Sequence, residues 1–361
     1  MRGNKKHPIY SQDSTAWIET GRDDPFSVFQ RALTNSGFID NIEAAFLASR
    51  KPREAFAIAI KPNIMTASKR LEPNPVYTSP ELVEYLIDRL HERGFRDISV
   101  VESHNVYDYS YVGRRVQDVA AMVGYIARNY RIVNLSEEKE PYDYGSVLGQ
   151  HYVGRTWRDA DYRISFAKNK SHWQCLYTGC LKNVYGCLPE GDKMFHYHGK
   201  GREFYECCVL IADRFPVHFG FVDAWYSGDG FSGHVRDAKP NLTRTIMASP
   251  NIFALDWVMG EKMEIDPGLN YVLQEGMYRW GTIRITRRGN LTTWHPWLNI
   301  RPFVVIGLDA MEEAYGVSKF FSRSFASQQD PRFPAVSKAQ WLFGIFQGFT
   351  RLIERVFETK T

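Results

Sequence analysis

Short apolar runs constrain this chain most. Ala55 to Ile60 (AFAIAI) and Ile98 to Val101 (ISVV) are too brief for buried helices and too uniformly apolar for strands with a wet face. Such runs are expected in strands covered on both sides, as in a parallel sheet. Between them, Thr78-Ser79-Pro80 supplies a cap and a first-turn proline, and Leu82, Val83, Leu86, Ile87 and Leu90 follow at helical spacing up to Gly94. Strand, helix and strand in this order form a parallel crossover unit.

The rest of the chain extends this pattern. Helices are expected from Pro25, over residues 41 to 50 and 114 to 128, and around Asp256; strands over 130 to 135, 161 to 167, 219 to 224 and 303 to 308. Residues 285 to 294 (ITRRGNLTTW) suggest a hairpin around Gly289-Asn290, and the glycine-rich connection 226 to 233 a flexible active-site loop. That connection lacks both the Lys-Ser/Thr ending of a phosphate loop and the dinucleotide glycine spacing, so no nucleotide motif is assigned. The expectation is an α/β fold, a mostly parallel sheet flanked by helices, in two lobes with the cleft at the strand C-terminal ends. Residues 1–23 are an N-terminal arm, 24–280 the α/β core, 281–340 strands and loops completing it, and 341–361 an amphipathic helix.

Composition limits the function classes. With 361 residues, 44% apolar and 14% aromatic, the chain can bury a large core with aromatic layers, and no long disordered region is expected. The formal charge of +4 is dispersed, so nucleic acid is not expected as a partner, whereas a few local lysines suffice for a small anionic substrate. No membrane-length apolar stretch and no signal core appear, which places the protein in the cytoplasm. Cys175, Cys180, Cys187, Cys207 and Cys208 are odd in number and lack C-x-x-C spacing, so reduced, packed thiols are expected. The stretch 341 to 357 suits docking on the core or on a second subunit as a homo-oligomer, or peripheral membrane contact.

Candidate site residues gather at strand ends. Lys61 and Asn63 follow the first apolar run, His104 the second, and Asp223 closes a later one; in open α/β sheets ligands bind beyond the carboxyl ends of strands. The stretch Asp161 to His198 adds Lys168, Lys170, His172, Lys182, Asn183, His196 and His198. A neutral imidazole can bind a metal or take a proton, and a lysine in a dry pocket can hold an anion or act as a nucleophile.

KPN at 61 to 63, TSPELVEYLIDRLHERG at 78 to 94, KNKSHW at 168 to 173, LKNVYG at 181 to 186, a following histidine and ASPNIFALDWV at 248 to 258 resemble the family called domain of unknown function 362, over roughly residues 55 to 280. Many members carry an appended ferredoxin-like segment; the cysteines here do not match it, so no iron–sulfur cluster is expected. The chain is also similar, more distantly, to the nickel-pincer lactate racemase family in its spacing: a histidine after a strand (His104), then His172, Lys182 ten positions later and His198 sixteen after that. That resemblance implies His104 and His172 as proton-transfer bases, Lys182 as anchor of a cofactor or substrate, and His198, with His196 competing, as ligand of a transition metal (nickel, iron or zinc) or of a metal-containing organic cofactor. Asn105 and KPN replace the racemases' arginine and aspartate-arginine motif, which implies a different substrate. The function expected is an enzyme, isomerase or lyase, acting on a small carboxylate- or phosphate-bearing substrate by His/Lys acid-base or metal-assisted chemistry. The alternatives are a non-catalytic carrier of an anionic metabolite and a membrane-associated scaffold.

Overall fold

A computed structural model describes residues 13–64, 69–104, 114–189, 202–230 and 238–294, with a few single positions besides. Nine strands form one sheet. In chain order they are β1 (Thr15–Thr20), β2 (Ile58–Pro62), β3 (Ile98–Glu102), β4 (Arg131–Asn134), β7 (Tyr162–His172), β8 (Leu176–Thr178), β9 (Phe219–Asp229), β10 (Lys239–Ser249) and β11 (Thr286–Gly289). A separate antiparallel hairpin, β5 (Lys139–Gly145) and β6 (Gly149–Gly154), fills the connection after β4. Nine α-helices occur among the described residues: α1 (Pro25–Asn35), α2 (Phe38–Ser49), α3 (Pro80–Glu92), α4 (Val116–Val123), α5 (Arg155–Asp159), α6 (Cys180–Val184), α7 (Arg202–Arg214), α8 (Ile252–Lys262) and α9 (Tyr271–Trp280).

The sheet runs β11-β1-β10-β9-β7-β2-β3-β4, with β8 paired to β7. Its middle, from β9 to β4, is parallel throughout, while β10 and β1 add antiparallel strands. From β2 the chain steps outward through β3 to β4, then returns to β7 on the other side of β2 and steps away through β9. The order therefore reverses between β2 and β7, the position where open α/β sheets leave a crevice for ligands.

Alternation along the strands builds two cores. Ile58, Ile60, Ile98, Val100, Ile164, Phe166, Phe219 and Phe221 lie under α1 to α4. Ala59, Val101, Ala167, Val222 and Met247 face α6 to α9 and the hairpin. Both layers are rich in aromatic rings; in the first, the Phe29 ring sits 5.3 Å from both Phe166 and Phe221. Asp24 caps α1 by accepting from the Phe26 and Ser27 amides.

Four sequence readings are corrected. Thr15–Thr20 is not part of a loose arm: Ala16 and Ile18 are buried and the segment pairs with β10. β10 was not anticipated, because its first half, KPNLTR, is mostly exposed and only the second half is apolar. The expected hairpin at 285 to 294 is absent; Thr286–Gly289 pairs in parallel with β1. Gly289 is required by a close approach and not by a hairpin turn, since its φ is +91° and a Cβ there would lie 2.1 Å from the Ile18 carbonyl oxygen. The connection from 226 is not wholly loop, because β9 continues to Asp229. Apart from Gly307, residues 303 to 308 lie outside the described residues, as does most of 341 to 357. Among the described residues, no helix is long and apolar enough to cross a membrane.

Candidate functional site

β2 and β3 end side by side, so Lys61 and Glu102 emerge as neighbours. The Lys61 side chain is 2% exposed and its ammonium donates to Glu102 Oε2 at 2.9 Å, the Pro62 carbonyl at 2.7 Å and Asn183 Oδ1 at 3.3 Å. All three N–H bonds are engaged. Asn183 in turn donates to the Lys61 carbonyl at 2.7 Å and Ser165 Oγ at 3.1 Å, stapling α6 to β2 and β7. Gly186 completes the clamp: a Cβ there would lie 2.6 Å from Lys61 Cε and 2.7 Å from Glu102 Oε1. An ion pair this deep offsets its own desolvation only when its hydrogen bonds are complete, as they are here.

The next two residues after β3 carry the open chemistry. Lys193 directs its ammonium at Ser103 Oγ (2.6 Å), the His104 carbonyl (2.8 Å) and the Leu188 carbonyl (3.1 Å). The His104 amide donates to Ser136 Oγ at 3.1 Å. Its imidazole Nε2, by contrast, is buried with no hydrogen-bond partner among the described residues. A buried polar atom left in that state calls for an explanation.

On the other side of the switch point, Lys168 (β7) and Asp223 (β9) are register partners and pair at 2.9 Å, both fully buried. Burial pushes the Lys168 ammonium below its ordinary range while the Asp223 carboxylate pulls it back up. Asp223 also accepts from the Ser79 amide at 2.9 Å and the Trp225 amide at 3.1 Å, so it fixes the start of α3. Thr78 donates to the Phe166 carbonyl at 2.7 Å and accepts from the Asn63 amide at 2.9 Å. Asn63 thus acts through its backbone, tying KPN to the TSP turn across the crevice. A cavity of about 380 Å³ opens here, lined by Lys168 and Asp223 with Phe26, Tyr77, Trp225 and Tyr226 among its walls.

The remaining candidates sit elsewhere. Lys170 is buried further along β7, opposite Thr178 and Gly228, and the β9 register slips between it and Lys168. His172 Nδ1 accepts from the Gln174 and Cys175 amides at 3.2 and 3.3 Å, which makes the ring a cap for the β7–β8 turn. The Lys182 ammonium lies 4.6 Å from the Tyr185 ring centre and 5.1 Å from that of Phe204, a cation–π arrangement. His196 and His198 lie outside the described residues, and among those described no group of three or more His, Cys, Asp or Glu is placed to hold a metal ion. The five cysteines are free and buried, and burial raises the Cys208 thiol to about 12.

Glu102 and Lys193 were missing from the residues expected to form the site. Glu102 was detectable: it follows ISVV as Lys61 follows AFAIAI, and adjacent parallel strands bring such ends together. Lys193 carried no sequence signal, because its role depends on a chain reversal after α6. Asp256 accepts from the Cys180 and Leu181 amides at 2.6 and 2.8 Å, one on each oxygen, and burial raises its carboxyl to about 7. It anchors the start of α6, and with it Asn183.

Comparisons with known proteins complete the picture. The chain is 31% identical over 112 residues to a thylakoid-associated protein of Synechocystis sp., a match covering 30% of this chain and 34% of that protein. It thus spans about a third of that relative's length. Among solved structures it is similar to a Thermotoga maritima protein from a structural genomics consortium, at 11% identity and a TM-score of 0.36 over 62% of this chain and 58% of that one. It is also similar to the lactate racemase apoprotein of Thermoanaerobacterium thermosaccharolyticum, at 12% identity and a TM-score of 0.40 over 70% and 58%. The sequence model for the domain of unknown function DUF362 matches residues 58–261, more than half of the chain and in line with the motifs at KPN, KNKSHW and LKNVYG, and the chain belongs to that family.

Proposed function

We propose that this chain is an acid/base enzyme, an isomerase or lyase, that moves a proton on a small carboxylate- or phosphate-bearing substrate, with His104 as its working base. The observation that carries this reading is the buried, unpartnered Nε2 of His104 at the carboxyl end of β3. A neutral imidazole can take a proton near neutral pH, and an Nε2 with no internal partner is free to meet a substrate. The backbone around it is held from both sides, by Ser136 on the amide and Lys193 on the carbonyl, so the ring is carried on a fixed strand end.

Lys193 supplies positive charge close to His104, where negative charge would develop as a proton leaves a carbon next to a carboxylate. Lys61 and Glu102 position the two strand ends and do not themselves touch substrate, because their polar atoms are engaged with each other and with Asn183, Pro62 and Ser103. The proton transfer is assigned to these side chains. A metal at His198 or His196, as the racemase resemblance implies, would add a Lewis acid. A cytoplasmic setting agrees with five free thiols.

The test is hydrogen exchange at carbon. Purified protein incubated in D2O with a panel of 2-hydroxy and 2-keto carboxylates and small phosphate esters should erase the proton NMR signal of one α-hydrogen, catalytically and with saturation. If no compound in such a panel exchanges or is converted, the acid/base reading falls.

A further inference from the structure

The Lys168 cavity holds a second, separate piece of unsatisfied chemistry. Lys168 is 1% exposed, yet among the described residues its ammonium makes a single hydrogen bond, to Asp223 Oδ2. An ammonium has three donors, so two N–H bonds at the cavity floor lack a protein acceptor. Asp223 Oδ2 is already shared by Lys168 and the Ser79 amide, and its Oδ1 takes the Trp225 amide. Whatever enters must therefore bring an acceptor.

Charge decides what kind of acceptor. Lys168 is neutralised by Asp223, and at the rim the Arg70 guanidinium already faces Glu72 at 3.3 Å and Glu81 at 2.9 Å. Cations in the lining are outnumbered by carboxylates, so a full anion gains little there. The walls favour a flat body: Phe26, Tyr77, Trp225 and Tyr226 are four aromatic residues in the lining, and about 380 Å³ falls in the range of small-molecule sites.

We propose that this cavity binds an uncharged planar ring compound bearing a conjugated carbonyl, its oxygen accepting from Lys168 and its ring lying among the aromatic walls. The site is distinct from the His104 surroundings: it is built by α1, the connection 70–79, the start of α3 and the middle of β7 and β9, whereas the His104 neighbourhood is built by Ser136 and residues that follow α6.

Two probes represent the two sources of such a carbonyl, lumichrome for a flavin-type lactam and 1,4-naphthoquinone for a quinone. Calorimetric titration of the full chain should show saturable one-to-one binding of at least one, and the tighter probe identifies the source. Phe26→Ala, at a wall residue 37% exposed and therefore safe for folding, should weaken binding about tenfold or more. Lys168→Met combined with Asp223→Asn, which avoids leaving a buried charge alone, should do the same. Excess inorganic phosphate should not compete. The proposal is overturned if neither ring binds, if binding survives Phe26→Ala unchanged, or if phosphate displaces the ring. His104→Asn should leave ring binding at the wild-type level, so loss of proton exchange and loss of ring binding are separable results.

Discussion

At the scale of single residues, what distinguishes candidate from candidate is whether its hydrogen-bonding atoms are already engaged. Lys61 and Asn183 are satisfied inside the fold, whereas His104 Nε2 and two donors of Lys168 are not. Residue identity and spacing could nominate all four, because a strand-end lysine looks the same whether it clamps a glutamate or faces a ligand. Asp256 gives a test at this scale. Its carboxyl stands at about 7 in the folded chain against an ordinary 3.8, so between those values the folded state holds a proton that the unfolded state has lost. Stability contributed this way is present at low pH and declines as pH rises through that window. Asp256→Asn abolishes the titration and also replaces one acceptor by a donor facing the Cys180 or Leu181 amide, a cost of about 1–3 kcal/mol. Urea midpoints measured at about pH 5 and about pH 8 should drop more for the wild type than for the variant; equal drops would remove Asp256 from this account.

At the scale of elements, period and capping predicted α1, α2, α3 and α8, overran α4 past Val123, and missed α5, α6, α7 and α9, while strands were predicted unevenly. α3 begins at Pro80 as its TSP turn indicates, and β2 and β3 follow from uniformly apolar runs. β1 and β10 escaped because antiparallel strands toward a sheet edge need only one buried face or one buried half, and TAWIET and KPNLTRTIMAS are accordingly mixed. β11 escaped for a different reason: Arg-Arg-Gly-Asn has a hairpin's composition, yet its glycine is there to pass the Ile18 carbonyl. Gly289→Ala should therefore detach β11 from β1 and destabilise the chain by more than about 1 kcal/mol, with faster amide exchange in Thr15–Thr20; an unchanged exchange pattern would contradict this pairing.

At the scale of the whole molecule, sheet order explains why distant segments share one crevice. β2 and β7 flank the reversal, so Asn63, Thr78 and Phe166 are joined across it although they come from separate parts of the chain. The motif segments KPN, TSP and KNK are legible as one site only once that order is known, since nothing in their spacing tells which strands neighbour each other. The reach of β7 and β9 past their apolar portions carries Lys168, Asn169 and Ser227 into the buried interior, a placement that polar residue types alone argue against. The central claim is that His104 transfers the proton. The direct measurement is the α-hydrogen exchange rate of His104→Asn protein, with thermal unfolding as a control, on whichever carboxylate the wild type exchanges. A loss of about a hundredfold or more with an unchanged melting midpoint is predicted, and a variant that exchanges at the wild-type rate contradicts the account.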